Sequence, residues 1–194
     1  MIFENLKGKE IILASQSPRR QELLNGLGLK FKVFVKQGID EDFDAEIPLK
    51  EVAGYLAKKK AAAYNNEITD KVIVITADTI VCTDSQILNK PSDRADAIRM
   101  LSDLSGKKHE VITAVCIKSI NKEICFSSES VVYFKELGQD EIEYYVDNFK
   151  PYDKAGAYGI QEWIGYIGIT RIEGSYFNVM GFPVQRVYTE LKKF

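Results

Sequence analysis

Four consecutive β-branched residues, Val72 to Ile75, restrict the possible folds more than any other feature of this chain. A run of that kind reads as a strand buried on both faces, which requires a central sheet with helices over each side. The rest of the sequence agrees. A helix follows Ser17, with Leu23, Leu24 and Leu27 on one side, and a short alternating strand spans Phe31 to Val35. Pro48 to Tyr64 reads as a helix, and a second helix runs to Leu104 with Ser92 or Asp93 as its cap. Two long strands, His109–Lys118 and Glu123–Phe134, join through a turn at Ser119–Lys122, and Gln139–Phe149 is helical. A turn at Thr83–Gln86, a strand over Trp163–Ile172 and a last helix from Pro183 to about Lys192 complete the pattern. Alternating strands and helices give an α/β chain with a mixed sheet.

Asp78 interrupts the apolar run Lys71–Cys82. A carboxylate in such surroundings is costly unless it is paired, hydrogen-bonded or metal-bound, so Asp78 is either a structural acid or a functional one. A second stretch, Ile11 to Arg20, reads as a buried strand running into a sharp turn and a helix. Ser17 suits the N-cap, and Pro18 the first helical position, because proline lacks the N–H that would go unpaired there. The helix start gathers backbone N–H groups and the positive end of a dipole, to which Ser15, Arg19 and Arg20 add hydroxyl and guanidinium donors suited to phosphate. The stretch has neither the Walker nor the Rossmann glycine pattern.

Three further segments leave both a bland and a functional reading open. Gly38–Glu46 is an acidic loop, either solvated surface or a set of oxygen ligands for a hard cation beside a phosphate. Lys58, Lys59 and Lys60 form a basic run on the following helix, by default a solvated face, with one of them able to turn toward phosphate. Asp153–Gln161 is rich in small residues, either a plain glycine turn or a place where backbone approaches a ligand and Gln161 meets a base edge.

Composition removes several classes of function. Across 194 residues the net charge is −2, and no basic tail is present, so broad binding to nucleic acid or to a membrane surface is not implied. No apolar run reaches the ~18 residues of a membrane span, and the first ten residues lack the apolar centre of a signal peptide, which points to the cytoplasm. His109 is the only histidine, which disfavours a zinc centre or a Ser-His-Asp triad. Three cysteines, Cys82, Cys116 and Cys125, read as reduced core residues rather than metal ligands or a disulfide framework.

Taken together, Leu13–Arg20, Gly38–Glu41, Thr76–Val81, Asn89-Lys90-Pro91, Gly106 with His109 and Thr113, Asp153–Gln161, and Gly174-Ser175-Tyr176 through Gly181-Phe182-Pro183 fall in the order of one family. The chain resembles the Maf family of nucleoside triphosphate pyrophosphatases over nearly its whole length. That resemblance implies a single domain over residues 1–194, a curved mixed β-sheet flanked by helices, and two lobes around a central cleft, similar to inosine triphosphate pyrophosphatase. It also implies hydrolysis of dTTP, UTP and modified pyrimidine nucleotides between the α and β phosphates, with Mg²⁺ or Mn²⁺, by a cytoplasmic homodimer. Carried over by motif, Asp78 activates the attacking water; Ser15, Arg20, Lys60 and Lys90 contact phosphates; Glu41 and Asp78 face the metal. Arg19, Thr79 and Gln161 match the positions that set base preference. Glu162, where relatives of the pyrimidine branch often carry glycine, and Asn89 are departures. The alternative implied by the resemblance is a nucleotide-binding regulator of cell division or septum formation with little turnover.

Overall fold

The computed structural model describes residues 3–83 and 86–194, so the turn expected at Thr83–Gln86 lies partly outside the described residues. Among these, seven strands form one mixed sheet: β1 (Glu10–Leu13), β2 (Lys32–Val33), β3 (Val72–Cys82), β4 (Ile87–Leu88), β5 (Lys108–Lys118), β6 (Glu123–Phe134) and β7 (Ile169–Glu173). Their order is β2-β1-β3-β5-β6-β7, with β4 paired to β3 off that path. The helices are α1 (Pro18–Asn25), α2 (Leu49–Ala62), α3 (Arg94–Leu104), α4 (Gln139–Phe149), α5 (Trp163–Gly168), α6 (Tyr176–Val179) and α7 (Val184–Leu191). No helix among the described residues is long and apolar enough to cross a membrane.

The chain divides into two compact units, and β3, β5 and β6 each contribute residues to both. The first unit comprises Met1–Asp78, Thr113–Ser128 and Gly181–Phe194. In it β1 lies parallel to β3, in register from Glu10 opposite Val72 to Leu13 opposite Ile75, and parallel to β2 on its other side. Ile73, Val74 and Ile75 are buried, as the β-branched run requires. Helix α2 buries Val52, Ala53, Leu56 and Ala57, and the buried Thr76 hydroxyl donates to the Ala57 carbonyl at 2.7 Å. That bond satisfies a polar group that would otherwise cost about 1–3 kcal/mol in the interior. Both residues of β2 are exposed; only two residues of the expected 31–35 strand pair, at the margin of the sheet.

The second unit comprises Thr79–Ile112 and Glu129–Met180. Strand β7 runs antiparallel to β6, and Asp93 caps α3 by accepting from the Asp96 N–H at 2.8 Å. The Arg94 guanidinium forks onto the Asp147 carboxylate at 2.6 and 2.9 Å, joining α3 to α4. Asn178 lies in the interior, its amide donating to the Val111 carbonyl and the Ser130 hydroxyl at 3.0 Å each. Ser175 caps α6 by accepting from the Asn178 N–H.

Two expectations need correction. Trp163–Gly168 is helix, and only Ile169–Glu173 is strand. The aromatic and β-branched composition suggested a strand, but Ile164 and Gly168, four residues apart, are both buried, the spacing of a helical face. Gly165 permits the turn, because a Cβ there would stand 1.9 Å from the Ile160 carbonyl oxygen. The second correction concerns cysteine. Cys116 and Cys125 form a disulfide between β5 and β6, with Cα atoms 4.1 Å apart, whereas Cys82 is buried and not disulfide-bonded. The pair is symmetric about the Ser119–Lys122 turn, closed by a Ser119 N–H to Lys122 carbonyl bond at 2.8 Å, so the hairpin itself sets the two sulphurs opposite one another.

Candidate active site

In the first unit, the turn between β1 and α1 has the geometry its residues dictate. The buried Ser15 hydroxyl accepts from the Ser17 N–H at 3.2 Å, and the Ser17 hydroxyl in turn accepts from the Arg20 N–H at 3.5 Å. Pro18 stands at the first helical position. The helix therefore starts directly after β1, and the positive end of its dipole favours an anion there. Gln21 holds the turn from behind by donating to the Ser15 carbonyl at 3.2 Å.

Arg20 leaves α1 and is fixed at both ends of its guanidinium. Its Nη1 donates to the Ala77 carbonyl at 2.8 Å and its Nε to the Gly181 carbonyl at 2.9 Å. Ala77 is the residue before Asp78, so the guanidinium is anchored on the backbone next to that carboxylate. Burial pulls the Arg20 pKa down from its ordinary value, Asp78 and Glu41 pull it up, and neighbouring Arg19 adds to the lowering. Half-buried Arg19 occupies the preceding position of α1.

Asp78 is 8% exposed at the point where β3 leaves the first unit. Its Oδ1 accepts from the Lys60 ammonium at 2.6 Å, and the same ammonium pairs with Glu41 Oε1 at 3.0 Å. Of the three lysines in the basic run, Lys60 is the one turned inward; Lys59, one position earlier, ties the loop through Asp40 at 2.7 Å and the Asp42 carbonyl at 2.9 Å. That bond to Lys59, reinforced by the Asp42 N–H, holds Asp40 below the usual carboxylate range. The acidic loop stays exposed, but two adjacent lysines of α2 tie it to that helix. The structure brings Arg20, Glu41, Lys60 and Asp78 together, with Ser15 and Arg19 in the turn and helix that carry Arg20.

The donor set fits a hard divalent cation. Two carboxylates, Glu41 and Asp78, already converge on one positive centre, the Lys60 ammonium, and oxygen ligands of this kind are what Mg²⁺ and its relatives take.

The remaining expected residues belong to the second unit. Thr79 follows Asp78 on β3 and, by the alternation of a strand, projects to the opposite face of the sheet. Lys90 is exposed in the segment after β4, where the Asn89 carbonyl accepts from the Gly156 N–H at 3.2 Å. Gln161 sits in a turn closed by the Glu162 N–H donating to the Gly159 carbonyl at 3.0 Å. Its Oε1 is buried and has no hydrogen-bond partner among the described residues.

Sequence reasoning missed the network around that turn. Tyr145 donates to Glu162 Oε2 and accepts from the Gly159 N–H at 3.0 Å. Lys154, with its side chain only 9% exposed, pairs with Glu162 Oε1 at 3.0 Å and with Asp153 at 2.7 Å. Burial, then the Glu162 bond, raises the Tyr145 phenol well above its ordinary pKa. Tyr145 reads as plain core because it lies beside Val146 and three residues after Ile142, both buried. The signal available was the unusual density of ionisable residues, Asp153, Lys154 and Glu162, around a small-residue turn.

A family model described as "Maf-like protein" matches residues 10–194. The chain is 53% identical over 192 residues to a dTTP/UTP pyrophosphatase of Phocaeicola vulgatus, covering 99% of this chain and 100% of that one. It is 52% identical over 193 residues to a dTTP/UTP pyrophosphatase of Parabacteroides distasonis, covering all of both chains. A dTTP/UTP pyrophosphatase of Porphyromonas gingivalis is 50% identical over 195 residues, covering 100% of this chain and 98% of that one. Among solved structures, the Staphylococcus aureus Ham1 protein is similar at a TM-score of 0.49 and 16% identity, covering 94% of this chain and 100% of that one.

Proposed function

We infer, from the premise that the chain belongs to the family of Maf-like proteins, that it hydrolyses dTTP and UTP between the α and β phosphates. The products are the nucleoside monophosphate and pyrophosphate, and the role is cleansing of the nucleotide pool. The observation that carries this reading is the Lys60 ammonium held between Asp78 and Glu41 with the Arg20 guanidinium anchored beside them. Arg20 and Lys60 are cations of the kind that hold a polyphosphate, and Arg19 precedes Arg20 on α1.

In this reading Asp78 orients a water molecule and takes its proton as the water oxygen adds to the α-phosphorus. The bond from that phosphorus to the bridging oxygen breaks, and pyrophosphate leaves with the electron pair. Arg20 and Lys60 hold the charge that builds on the phosphate oxygens, with Ser15 and the start of α1 binding the chain and Lys90 supplying a further ammonium. Glu41 and Asp78 would hold the divalent ion, Mg²⁺ or Mn²⁺, which when bound neutralises phosphate charge.

Gln161 reads the base, with Arg19 and Thr79 as further determinants. Uracil and thymine present one N–H donor between two carbonyls, and a carboxamide matches one donor and one acceptor of that edge. The unpartnered, buried Oε1 of Gln161 supports this role, because a buried acceptor left unpaired is costly until a ligand supplies the donor. The family match over residues 10–194 supports a single functional domain, and the reading extends to a cytoplasmic homodimer that binds neither nucleic acid nor membrane. The names of the relatives favour turnover over a purely regulatory role. Incubation with UTP, dTTP and a purine triphosphate in the presence of Mg²⁺ tests the reading: pyrophosphate is expected from the first two, and release of orthophosphate alone contradicts it.

A further inference from the structure

The β5–β6 hairpin gathers three side chains with metal-binding atoms that the proposed reaction does not use. Cys116 Sγ, Cys125 Sγ and a Glu123 carboxylate oxygen all lie within 4.8 Å of one another. Their convergence follows from strand geometry. Side chains two residues apart on a strand share a face, so Cys116 goes with Lys118 on β5, and Glu123 with Cys125 on β6. The turn at Ser119–Lys122 places Lys118 opposite Glu123 and Cys116 opposite Cys125, and the Lys118 ammonium accordingly pairs with Glu123 Oε2 at 2.7 Å. The other carboxylate oxygen, Oε1, is 3.9 Å from Cys125 Sγ. Cys116 is buried, while Glu123 and Cys125 are exposed, so a cation can reach the group from solvent on one side.

In the oxidised hairpin the two sulphurs are bonded to each other and offer no thiolate. A dithiol reductant changes that: it supplies two electrons, the S–S bond breaks, the reductant leaves as its own disulfide, and one proton ends on each protein sulphur. Two cysteines beside a carboxylate then suit a thiophilic cation, whereas Mg²⁺ and Mn²⁺ prefer oxygen ligands. The charges also balance. Three negative ligand charges meet one positive charge from Lys118 and two from Zn²⁺, so the filled site is neutral around the buried Cys116 sulphur. We propose that Cys116, Glu123 and Cys125 form a binding site for Zn²⁺ that opens when the disulfide is reduced and closes when it re-forms. Water completes the four-coordinate shell, and occupation releases the two thiol protons to solvent. This site is independent of the roles given to Asp78 and Glu41.

Co²⁺ serves as a coloured stand-in for Zn²⁺, because thiolate ligands give it a sulphur-to-metal charge-transfer band that oxygen ligands do not. The full chain is reduced with dithiothreitol, desalted without oxygen, and titrated with Co²⁺ and then with Zn²⁺. The reduced wild type is expected to show the band, saturating at one equivalent, and to lose it as Zn²⁺ takes the site. Protein left oxidised should show none. Cys125→Ser should abolish the band, and Glu123→Gln should weaken Co²⁺ binding by at least about tenfold, a loss that even a change outside the ligand set can cause. Asp78→Asn should leave the band unchanged, which separates this site from the active-site carboxylates. Absence of the band from the reduced wild type overturns the proposal, as does a band of equal strength in the oxidised protein or in Cys125→Ser. Unchanged affinity in Glu123→Gln removes the carboxylate from the site and overturns the three-ligand assignment. Should Cys125→Ser not fold, Glu123→Gln carries the same comparison.

Discussion

Half-buried Lys60 and buried His109 show how differently two titratable residues act. Lys60 bridges two carboxylates, so removing it leaves both without that partner and, in the proposed reading, takes away a cation for phosphate. Lys60→Ala is expected to lower kcat/KM for UTP by about a hundredfold, as losing one preorganised charge contact does; steady-state kinetics at fixed metal check it. His109, by contrast, is 2% exposed and shares a 2.7 Å hydrogen bond with Tyr158, while its Nδ1 is buried without a partner among the described residues. Burial lowers its pKa from 6.5 to about 4. Below 6.5 the unfolded chain takes up a proton that the folded chain refuses, so stability is full above that value and is lost as pH falls toward 4. Between pH 7 and pH 5 the loss is about 2 kcal/mol. Urea unfolding at those two pH values should show that loss in the wild type, and a smaller one in His109→Gln, which cannot titrate. Asp78 was legible because a carboxylate in an apolar run demands an explanation; the inward turn of Lys60 rather than Lys58 or Lys59 was not, because it depends on how α2 lies against β3.

At the scale of elements, long segments with a clear period were read correctly and a short aromatic one was not. Strand β6 and helix α4 have the expected limits, and α2 falls within its expected range, because apolar residues recur at the spacing of one burying face over eleven residues or more. In α5, six residues give too little periodicity to outweigh β-forming composition, and the deciding fact is the Ile160 carbonyl against Gly165. Gly165→Ala is therefore expected to destabilise the protein by about 3 kcal/mol, since the backbone must move to admit the methyl. Urea denaturation measures it, and a loss below 1 kcal/mol would mean that the turn relaxes easily. The N-cap of α1 makes a milder prediction: Ser17→Ala removes the acceptor for the Arg20 N–H and costs about 1 kcal/mol. Because the same turn carries Ser15 and Arg20, that variant should also raise KM for UTP, which initial-rate measurements would show.

For the molecule as a whole, the β-branched run of β3 dictated a sheet covered by helices, but strand order was beyond what periodicity encodes. It follows from pairings between residues far apart in the chain, such as Glu10 with Val72 and Val131 with Glu173. The disulfide was missed for a similar reason: cysteine count and compartment argued against it, while the symmetry of Cys116 and Cys125 about their turn was the geometric signal. The resemblance supplied roles for Lys90 and Gln161 that no local pattern could, since each motif alone reads equally well as a turn. The proposed function gives these observations one account, in which a carboxylate set among cations aims water at phosphorus. The rate of UTP hydrolysis by Asp78→Asn, at saturating Mg²⁺ and with Tm shown to match the wild type, tests that claim most directly. A fall in kcat of about a thousandfold is predicted, the typical worth of a positioned general base; a rate within tenfold of the wild type would contradict it.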